Sequence, residues 1–484
     1  MKILPNIQLS RDQFPWLLGA LLYLISYGGS FLYLDAIYWD DWVLFNLEPK
    51  VILDGFRQAG AMFNWFGHLH VVLLKFGPEV YHILTFILMF LSGYLLWLII
   101  GSIAAINQLE RNLIALFFLV LPLNAARIAL INFPYTLCYF SFFLAWYLLV
   151  RRTGYILKAL SLLLFLFSFN TNSLLVFYAL PIAHAVYLSA GFDLKKSILW
   201  ASKSFLFLLA PFVWFYVKTH YFAPTGFYDE YNSLKFGGLL KALLLGAPLV
   251  VIFIAWLIKK RQGKNNPINR GLALLFWGLV ITWLGVFSYV VIGLWPSFGD
   301  WQSRHQLLMP LGVAMAIVGA GSWISHGNVL RFSVIALALS SLVNLYISFE
   351  YHLDWIKQRE VMQLISRSAE IRTARTILFD DKTMRFNARG RTYRFYEYNG
   401  WFKLVYGDER RWGMDRAAWE GPLTAKLPDE YKQYISKYYN ASEYIRSAPD
   451  LIVTIKSPIS GLKTVLKKVL TGFGGFSLNI KKLH

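Results

Sequence analysis

The chain has 484 residues, of which 57% are hydrophobic and only 15% are charged, and its mean hydropathy is +0.47. A water-soluble globular protein of this length is less apolar, so the composition predicts an integral membrane protein. The net charge of +20 would suggest a nucleic-acid ligand in a soluble protein. In a membrane protein, inner loops and anionic lipid headgroups account for it, and we predict no nucleic-acid partner. The single cysteine, Cys138, excludes a disulfide framework and a cysteine-based metal site.

Apolar runs of about 20 residues, the length that crosses a bilayer, recur along the first 350 residues. The first run, from Phe14 to Leu34, is too long for the core of a signal peptide. We predict an all-α polytopic membrane domain over residues 1–350 with about eleven transmembrane helices. Only the polar stretch 170–173 separates the fifth span from the sixth, so counts of ten and twelve stay open. The predicted spans are 15–38, 80–104, 113–132, 134–150, 155–171, 173–190, 198–220, 237–258, 271–294, 306–325 and 332–349.

The distribution of positive charge predicts the orientation. With the N-terminus inside, the inner loops carry about twice as many Lys and Arg as the outer loops, which agrees with the positive-inside rule. An odd number of spans then places residues 351–484 outside. This segment contains 24 Lys and Arg and 14 Asp and Glu. We predict that this tail is a small α+β domain.

Local patterns give the elements of the tail. Residues 353–378 are predicted to be helical, and 384–387 and 392–398 to be strands, with a hairpin turn at Asn399-Gly400. Pro428 is predicted to open a second helix. The apolar stripe over 462–470, flanked by lysines, is typical of a helix that lies on the membrane surface.

The first outer loop, roughly residues 39–79, is neither spanning nor properly polar. The stretch Met62–Leu74 is amphipathic and too short to cross, and a shorter segment of the same kind is interrupted by Pro49. We predict two interfacial helices that lie in the plane of the membrane surface.

Two adjacent carboxylates, Asp40 and Asp41, stand among aromatic residues where the first span leaves the membrane. Carboxylates near lipid are costly unless they are paired, hydrated or functional. In one interpretation the helix simply ends there and the acids face water. In the other, one carboxylate is a general base that accepts a proton from an attacking hydroxyl, and its neighbour orients the site.

The eleven spans, the acid pair at the outer end of the first span and the long interfacial loop resemble the GT-C class of membrane glycosyltransferases. Within that class the chain is similar to bacterial enzymes that modify O-antigen, lipopolysaccharide or other surface glycans. The resemblance implies a polyprenyl-phosphate-linked sugar as donor, a glycan or glycolipid hydroxyl as acceptor, and location in the bacterial inner membrane with the site facing outward. It also implies that Asp40 or Asp41 is the base, with inversion at the anomeric carbon. No cofactor or metal ion is expected.

Other residues are candidates for substrate binding. Arg304 with His305, and less strongly Arg127, are predicted to bind the donor phosphate; alternatively Arg304 extends to lipid headgroups or pairs with Asp300. The spacing of His68 and His70 places them on different faces of a helix, which argues against a metal site. Weaker candidates for contact with substrate are Asp300, Asp229, Glu230, Asn172 and His68. The segment with Asp229 and Glu230 is equally consistent with an ordinary exposed loop, Asn172 with a helix cap, and His68 with a polar residue at the membrane interface.

Two other functions compete with glycosyl transfer. An O-antigen polymerase or ligase also acts on lipid-linked sugars, but those families place basic residues in a large late outer loop, and the late loops here are short. A flippase or transporter of lipid-linked sugars favours repeated halves and charges in mid-span, and neither is evident in the sequence. We therefore rank glycosyltransferase first, polymerase second and transporter third.

Overall fold

The computed structural model describes residues 14–151, 154–191, 193–225, 235–262, 267–298, 301–324, 329–407, 411–420, 449–458 and 475–483. These residues are mostly helical and include one small mixed sheet in the C-terminal part. The polytopic helical architecture expected from the composition is therefore present in the structure.

The helices of the N-terminal part follow one another with short connections. A 3₁₀ helix over Gly28–Tyr33 extends the first of them, and a capping box between Asn107 and Glu110 starts the sixth. In chain order they are α1 (Phe14–Tyr27), α2 (Asp41–Asn46), α3 (Pro49–Gln58), α4 (Trp65–Leu73), α5 (Pro78–Ile100), α6 (Gln108–Val120), α7 (Phe133–Val150), α8 (Tyr155–Ser168), α9 (Ser173–Phe177), α10 (Ala179–Ala190), α11 (Leu194–Lys203), α12 (Phe205–Tyr221), α13 (Phe236–Gln262), α14 (Pro267–Val290) and α15 (Met309–Ile324).

Seven stretches of helix within the described residues are long and apolar enough to cross a membrane. The pair α11 and α12, bent by 61° at the break between them, gives an eighth if the two form one span. Each of the eleven predicted spans contains a helix, but α6, α8 and α15 have only 13, 14 and 16 residues and are too short to be counted with the others. A multi-pass architecture is therefore supported, while the count of eleven stays a prediction.

The predicted span 113–132 is wrong in its second half. Helix α6 ends at Val120, and the chain then runs through Pro122 and a left-handed Asn124 (φ 56°) into short 3₁₀ turns. Proline has no backbone N–H to continue a helix. Because the stretch is apolar throughout, the sequence analysis missed the end of the helix at Val120. Arg127 therefore lies in the 3₁₀ turn Ala125–Ile128.

Helices α14 and α15 pack with their backbones in contact. Glycines recur every seven residues on α14, at Gly271, Gly278 and Gly285. A Cβ added at Gly278 would lie 2.4 Å from the backbone nitrogen of Ala316, and one at Gly312 would lie 2.3 Å from that of Thr282. Small residues allow such an approach between membrane helices. The connection between these two helices includes the 3₁₀ helix 301–306, which carries Arg304.

The C-terminal part begins inside a long helix. Helix α16 (Val329–Arg367) has 39 residues and runs without interruption past residue 350, where the two predicted domains were divided. It is followed by α17 (Ala369–Thr373), β1 (Thr376–Asp381), α18 (Phe395–Tyr406), β2 (Trp412–Asp415), α19 (Arg416–Glu420), β3 (Leu451–Lys456) and β4 (Ser477–Lys482). The division at 350 stays a prediction.

The sheet has the strand order β2-β1-β3-β4. Strand β1 pairs in parallel with β2 and β3, with Ile377 opposite Gly413 and Leu451, while β4 is antiparallel to β3. Strand β1 is buried along most of its length. Helix α18 connects the parallel pair β1 and β2, as crossover connections between parallel strands usually do.

Several predictions for the tail were wrong. The predicted helix 353–378 ends at Arg367, and its last residues form α17 and part of β1. Residues 384–386 form a 3₁₀ turn rather than a strand, and the predicted strand 392–398 with its hairpin at Asn399-Gly400 lies largely within α18. The side chain of Asn399 accepts a hydrogen bond from the Gly413 amide at 2.8 Å, so this Asn-Gly pair joins helix to strand. The helix expected at Pro428 and the stripe over 462–470 lie outside the described residues.

The first loop, defined here as residues 34–77, shares a hydrophobic core with the C-terminal part. It contains three α-helices: α4 lies within the predicted stretch Met62–Leu74, and Pro49 starts α3 rather than interrupting a helix. Their position at the membrane surface stays a prediction. Trp42 donates a hydrogen bond to Gln358 on α16 at 2.9 Å, and the Tyr38 hydroxyl donates to the Tyr351 carbonyl at 3.0 Å. The acid pair therefore lies in a junction between the membrane helices and the C-terminal part.

Candidate functional site

The acid pair forms the second half of a strained turn, Tyr38 to Asp41. Trp39, directly before it, has φ 52°, in the left-handed region that bulky residues rarely adopt. The Asp41 amide donates to the Tyr38 carbonyl at 3.1 Å and closes the turn, after which α2 begins at Asp41. Such strain persists where the surrounding packing imposes it, and it is frequent at functional sites.

Asp41 is fully buried, and its carboxyl group is hydrogen-bonded to backbone amides. Its two oxygens accept hydrogen bonds from the amides of Tyr38 at 3.2 Å and Ile131 at 2.9 Å. Burial raises the pKa of Asp41 to about 8, against the opposing effect of these amides. The carboxyl is therefore mostly protonated at neutral pH. Its evident role is to fix the first loop against the segment that precedes α7.

Asp40 differs from its neighbour in exposure and in partners. It is partly exposed, and its side chain does not cap α2 although it occupies the N-cap position. Burial, with a contribution from the nearby Asp40 carboxylate, raises the pKa of Tyr396 on α18 well above its usual range. Of the two predicted acids, Asp40 is the one that an external hydroxyl is able to approach.

Two other loops meet beside the acid pair. The turn 125–128 and the 3₁₀ helix 301–306 are joined by a hydrogen bond of 2.8 Å from the Ala126 amide to the Ser303 hydroxyl. The Trp301 ring packs edge-on against Trp39, with 5.7 Å between centroids. The loops that carry Arg127 and Arg304 therefore lie next to the segment that carries Asp40, although the three are far apart in sequence.

Arg127 presents an unsatisfied cationic nitrogen. Its guanidinium stacks over the Tyr27 ring at 3.6 Å. The Nη2 atom is buried and has no hydrogen-bond partner among the described residues. A buried guanidinium N–H without an acceptor is costly, so this nitrogen is available to an anionic ligand.

Arg304 and His305 have unequal roles. The Arg304 guanidinium lies over the Trp301 ring at 4.4 Å, and its Nε approaches the His305 Nε2 at 3.3 Å. Burial, with a contribution from Arg304, lowers the pKa of His305 to about 4. His305 is therefore neutral at physiological pH. Its two ring nitrogens face the Arg304 Nε and, at 3.4 Å, the Trp295 carbonyl, so positive charge for a phosphate has to come from the two arginines.

The remaining predicted residues lie elsewhere or are not described. His68 is exposed on α4, and Asn172 accepts a hydrogen bond from the Lys218 ammonium at 2.6 Å. Asp229, Glu230 and Asp300 lie outside the described residues.

The C-terminal contribution was missed by the sequence analysis. Tyr396 was assigned to a strand of a separate domain, whereas it lies on α18, which packs against α2. The Glu397 carboxylate accepts a hydrogen bond from the Arg394 backbone amide at 2.9 Å, and a Glu at the third helical position was the local signal for a helix start. No local pattern indicated that this helix covers the acid pair.

No protein-family model, curated protein or solved structure matches this chain. What bears on its function is therefore the arrangement of its own residues. That arrangement is one partly exposed carboxylate, two arginines in adjoining loops and a neutral histidine.

Proposed function

We propose that this protein is a membrane glycosyltransferase. It transfers a sugar from a polyprenyl-phosphate donor to a hydroxyl of a glycan or glycolipid. The reaction takes place at the outer face of the bacterial inner membrane. The GT-C resemblance of the sequence and the multi-pass helical architecture support this assignment together.

The chemistry is a direct displacement. Asp40 accepts the proton of the acceptor hydroxyl, and the resulting alkoxide-like oxygen attacks the anomeric carbon. The bond to the phosphate oxygen breaks as the new glycosidic bond forms, so the configuration at the anomeric carbon inverts. The departing polyprenyl phosphate carries its own negative charge well, so it needs a cation more than a general acid.

The observation that carries the proposal is the convergence of Asp40 with the loops of Arg127 and Arg304. A base and two guanidinium groups are the charges that this reaction needs at its attacking and departing ends. The buried, unpartnered Nη2 of Arg127 is suited to a phosphate oxygen. Asp41 contributes by holding the first loop in register with the segment around Ile131.

The experiment uses the full chain in lipid nanodiscs with synthetic polyprenyl-phosphate sugars and candidate hydroxyl acceptors. We expect the product to have the inverted anomeric configuration by NMR. Asp40→Asn should lower kcat by about 10²-fold or more, the range for loss of a general base. The matched control is Asp54→Asn, which changes an exposed carboxylate on α3 of the same loop and should leave kcat unchanged. Wild-type kcat in Asp40→Asn would refute the proposal.

A further inference from the structure

Gln306 is the last residue of the 3₁₀ helix that carries Arg304, and it is only 1% exposed. Its side-chain oxygen accepts a hydrogen bond from the Asn124 backbone amide at 2.9 Å. Because a backbone N–H only donates, the Gln306 atom that faces it has to be the oxygen of the side-chain amide. The NH₂ group of Gln306 is therefore turned away from Asn124, and this bond fixes its orientation.

The NH₂ group of Gln306 lacks an acceptor. Its nitrogen, Nε2, is buried and has no hydrogen-bond partner among the described residues. An amide N–H that is removed from water without an acceptor is costly. Gln306 thus resembles Arg127, whose buried Nη2 is also without a partner in the part of the chain that the structure describes.

These two donors belong to one junction between two loops. The Asn124 amide donates to Gln306, and the Asn124 carbonyl accepts from the Arg127 amide at 3.1 Å. A second bond between the same loops joins the Ala126 amide to the Ser303 hydroxyl at 2.8 Å. Gln306 and Arg127 are therefore both hydrogen-bonded to a single residue, Asn124, although they are almost 180 positions apart in the chain.

The ligand that suits this junction is an oxyanion. Both unsatisfied groups are donors, and one of them carries a positive charge. A phosphate group offers several acceptor oxygens together with a negative charge, and a guanidinium binds it by charge-assisted hydrogen bonds. The amide of Gln306 adds a directional donor that carries no charge of its own.

We propose that Gln306 binds the donor phosphate together with Arg127, each side chain donating to a phosphate oxygen. This inference rests on the proposed function and adds a neutral donor to its phosphate site. It also gives His305 a smaller role, because the ring nitrogens of His305 face Arg304 and the Trp295 carbonyl.

The test measures the binding of radiolabelled farnesyl phosphate, a short polyprenyl phosphate, to the full chain in phosphatidylcholine nanodiscs. Gln306→Glu keeps an oxygen for the Asn124 amide and replaces the NH₂ group by a second oxygen. We expect its Kd to rise about tenfold or more, the range for loss of a hydrogen bond to a charged group. The matched control is Gln108→Glu at the exposed start of α6, which should keep the wild-type Kd.

A second variant guards against misfolding caused by a buried carboxylate. Gln306→Met adds no charge and also removes the NH₂ donor, so its Kd should rise about tenfold or more as well. Ser303→Ala removes the other bond between the two loops and measures the effect of loosening alone, which should be clearly smaller. A wild-type Kd in Gln306→Met, or an equal rise in Ser303→Ala, would overturn the role of Gln306.

Competitors identify the source of the phosphate. Unlabelled farnesyl phosphate should displace the label, whereas inorganic phosphate at the same concentration and phosphatidylglycerol in the nanodisc should not. Equal displacement by either of these would overturn the assignment to the polyprenyl donor.

The two proposals fail in different ways, because the binding assay needs no transfer. Wild-type transfer by Asp40→Asn would overturn the proposed function. A wild-type Kd for farnesyl phosphate in Gln306→Met, combined with an inactive Asp40→Asn, would overturn the role of Gln306 alone.

Discussion

Asp40 and Asp41 are neighbours in sequence with opposite environments. The sequence alone left open which of them is the base. Asp41 is buried and accepts hydrogen bonds from the Tyr38 and Ile131 amides, while Asp40 is partly exposed. The division of roles depends on the turn at Trp39 and on a loop about 90 residues away, so no local pattern could reveal it.

Asp41 should also give the protein a characteristic pH dependence of stability. Burial raises its pKa to about 8 in the folded state, against about 3.9 in an unfolded chain. Between these values the folded state retains a proton that the unfolded state releases. The free energy of unfolding that Asp41 contributes is therefore complete below about pH 4 and is lost as the pH rises through about 8.

The variant Asp41→Asn tests this dependence. Asn does not titrate. Its side-chain NH₂ group would face one of the two backbone amides, and it cannot accept a hydrogen bond from that amide. The variant should thus be less stable than the wild type at pH 5, by about 1–3 kcal/mol. At pH 8.5 the difference should shrink or reverse, because only the wild type loses stability between the two pH values. Thermal unfolding in detergent at the two pH values measures it, and a difference that stays constant with pH would contradict the assigned environment.

At the scale of elements, apolar length predicted a helix within each of the eleven proposed spans, and each of them contains one. Local patterns failed where a partner distant in sequence decides the structure. Asn399-Gly400 is a strong hairpin signal, yet the pair lies within α18 because the Asn399 side chain bonds the Gly413 amide and α18 packs on β2. The break after Val120 was visible at Pro122, but the surrounding apolar run outweighed it.

The close contact of α14 and α15 gives an element-scale prediction. In Gly312→Ala the new Cβ would lie 2.3 Å from the Thr282 backbone nitrogen, so the two helices must separate. We expect a loss of about 1–3 kcal/mol, typical of overpacking. Gly237→Ala on α13 is the control, since nothing lies within 4 Å of its Cβ. Thermal unfolding of both variants decides the matter; equal stability would mean that the helices are not in backbone contact.

For the whole molecule, the notable feature is that α16 joins the membrane part to the C-terminal part without a break. Composition distinguished an apolar region from a more polar tail, and on that ground we predicted two domains divided at residue 350. The shared core of the first loop and the C-terminal part was not predictable, because the contacts join residues near 40 to residues near 355 and 396. The C-terminal part forms one wall of the candidate site.

The predicted orientation is testable by labelling introduced cysteines, because the single native cysteine, Cys138, is fully buried. Ala104→Cys and Ala369→Cys place exposed thiols on the predicted inner and outer sides, respectively. In intact cells a membrane-impermeant maleimide should label Ala369→Cys and not Ala104→Cys, and after permeabilisation it should label both. The reverse pattern would invert the orientation and place the C-terminal part inside.

The central claim is that Asp40 takes the proton during transfer and that Asp41 supports the loop. The most direct measurement is the single-turnover rate of sugar transfer from a synthetic polyprenyl-phosphate donor, with donor and acceptor saturating, in Asp40→Asn and Asp41→Asn. We predict a loss of about 10²-fold or more for Asp40→Asn and less than about tenfold for Asp41→Asn. A wild-type rate in Asp40→Asn, or the larger loss in Asp41→Asn, would contradict the claim.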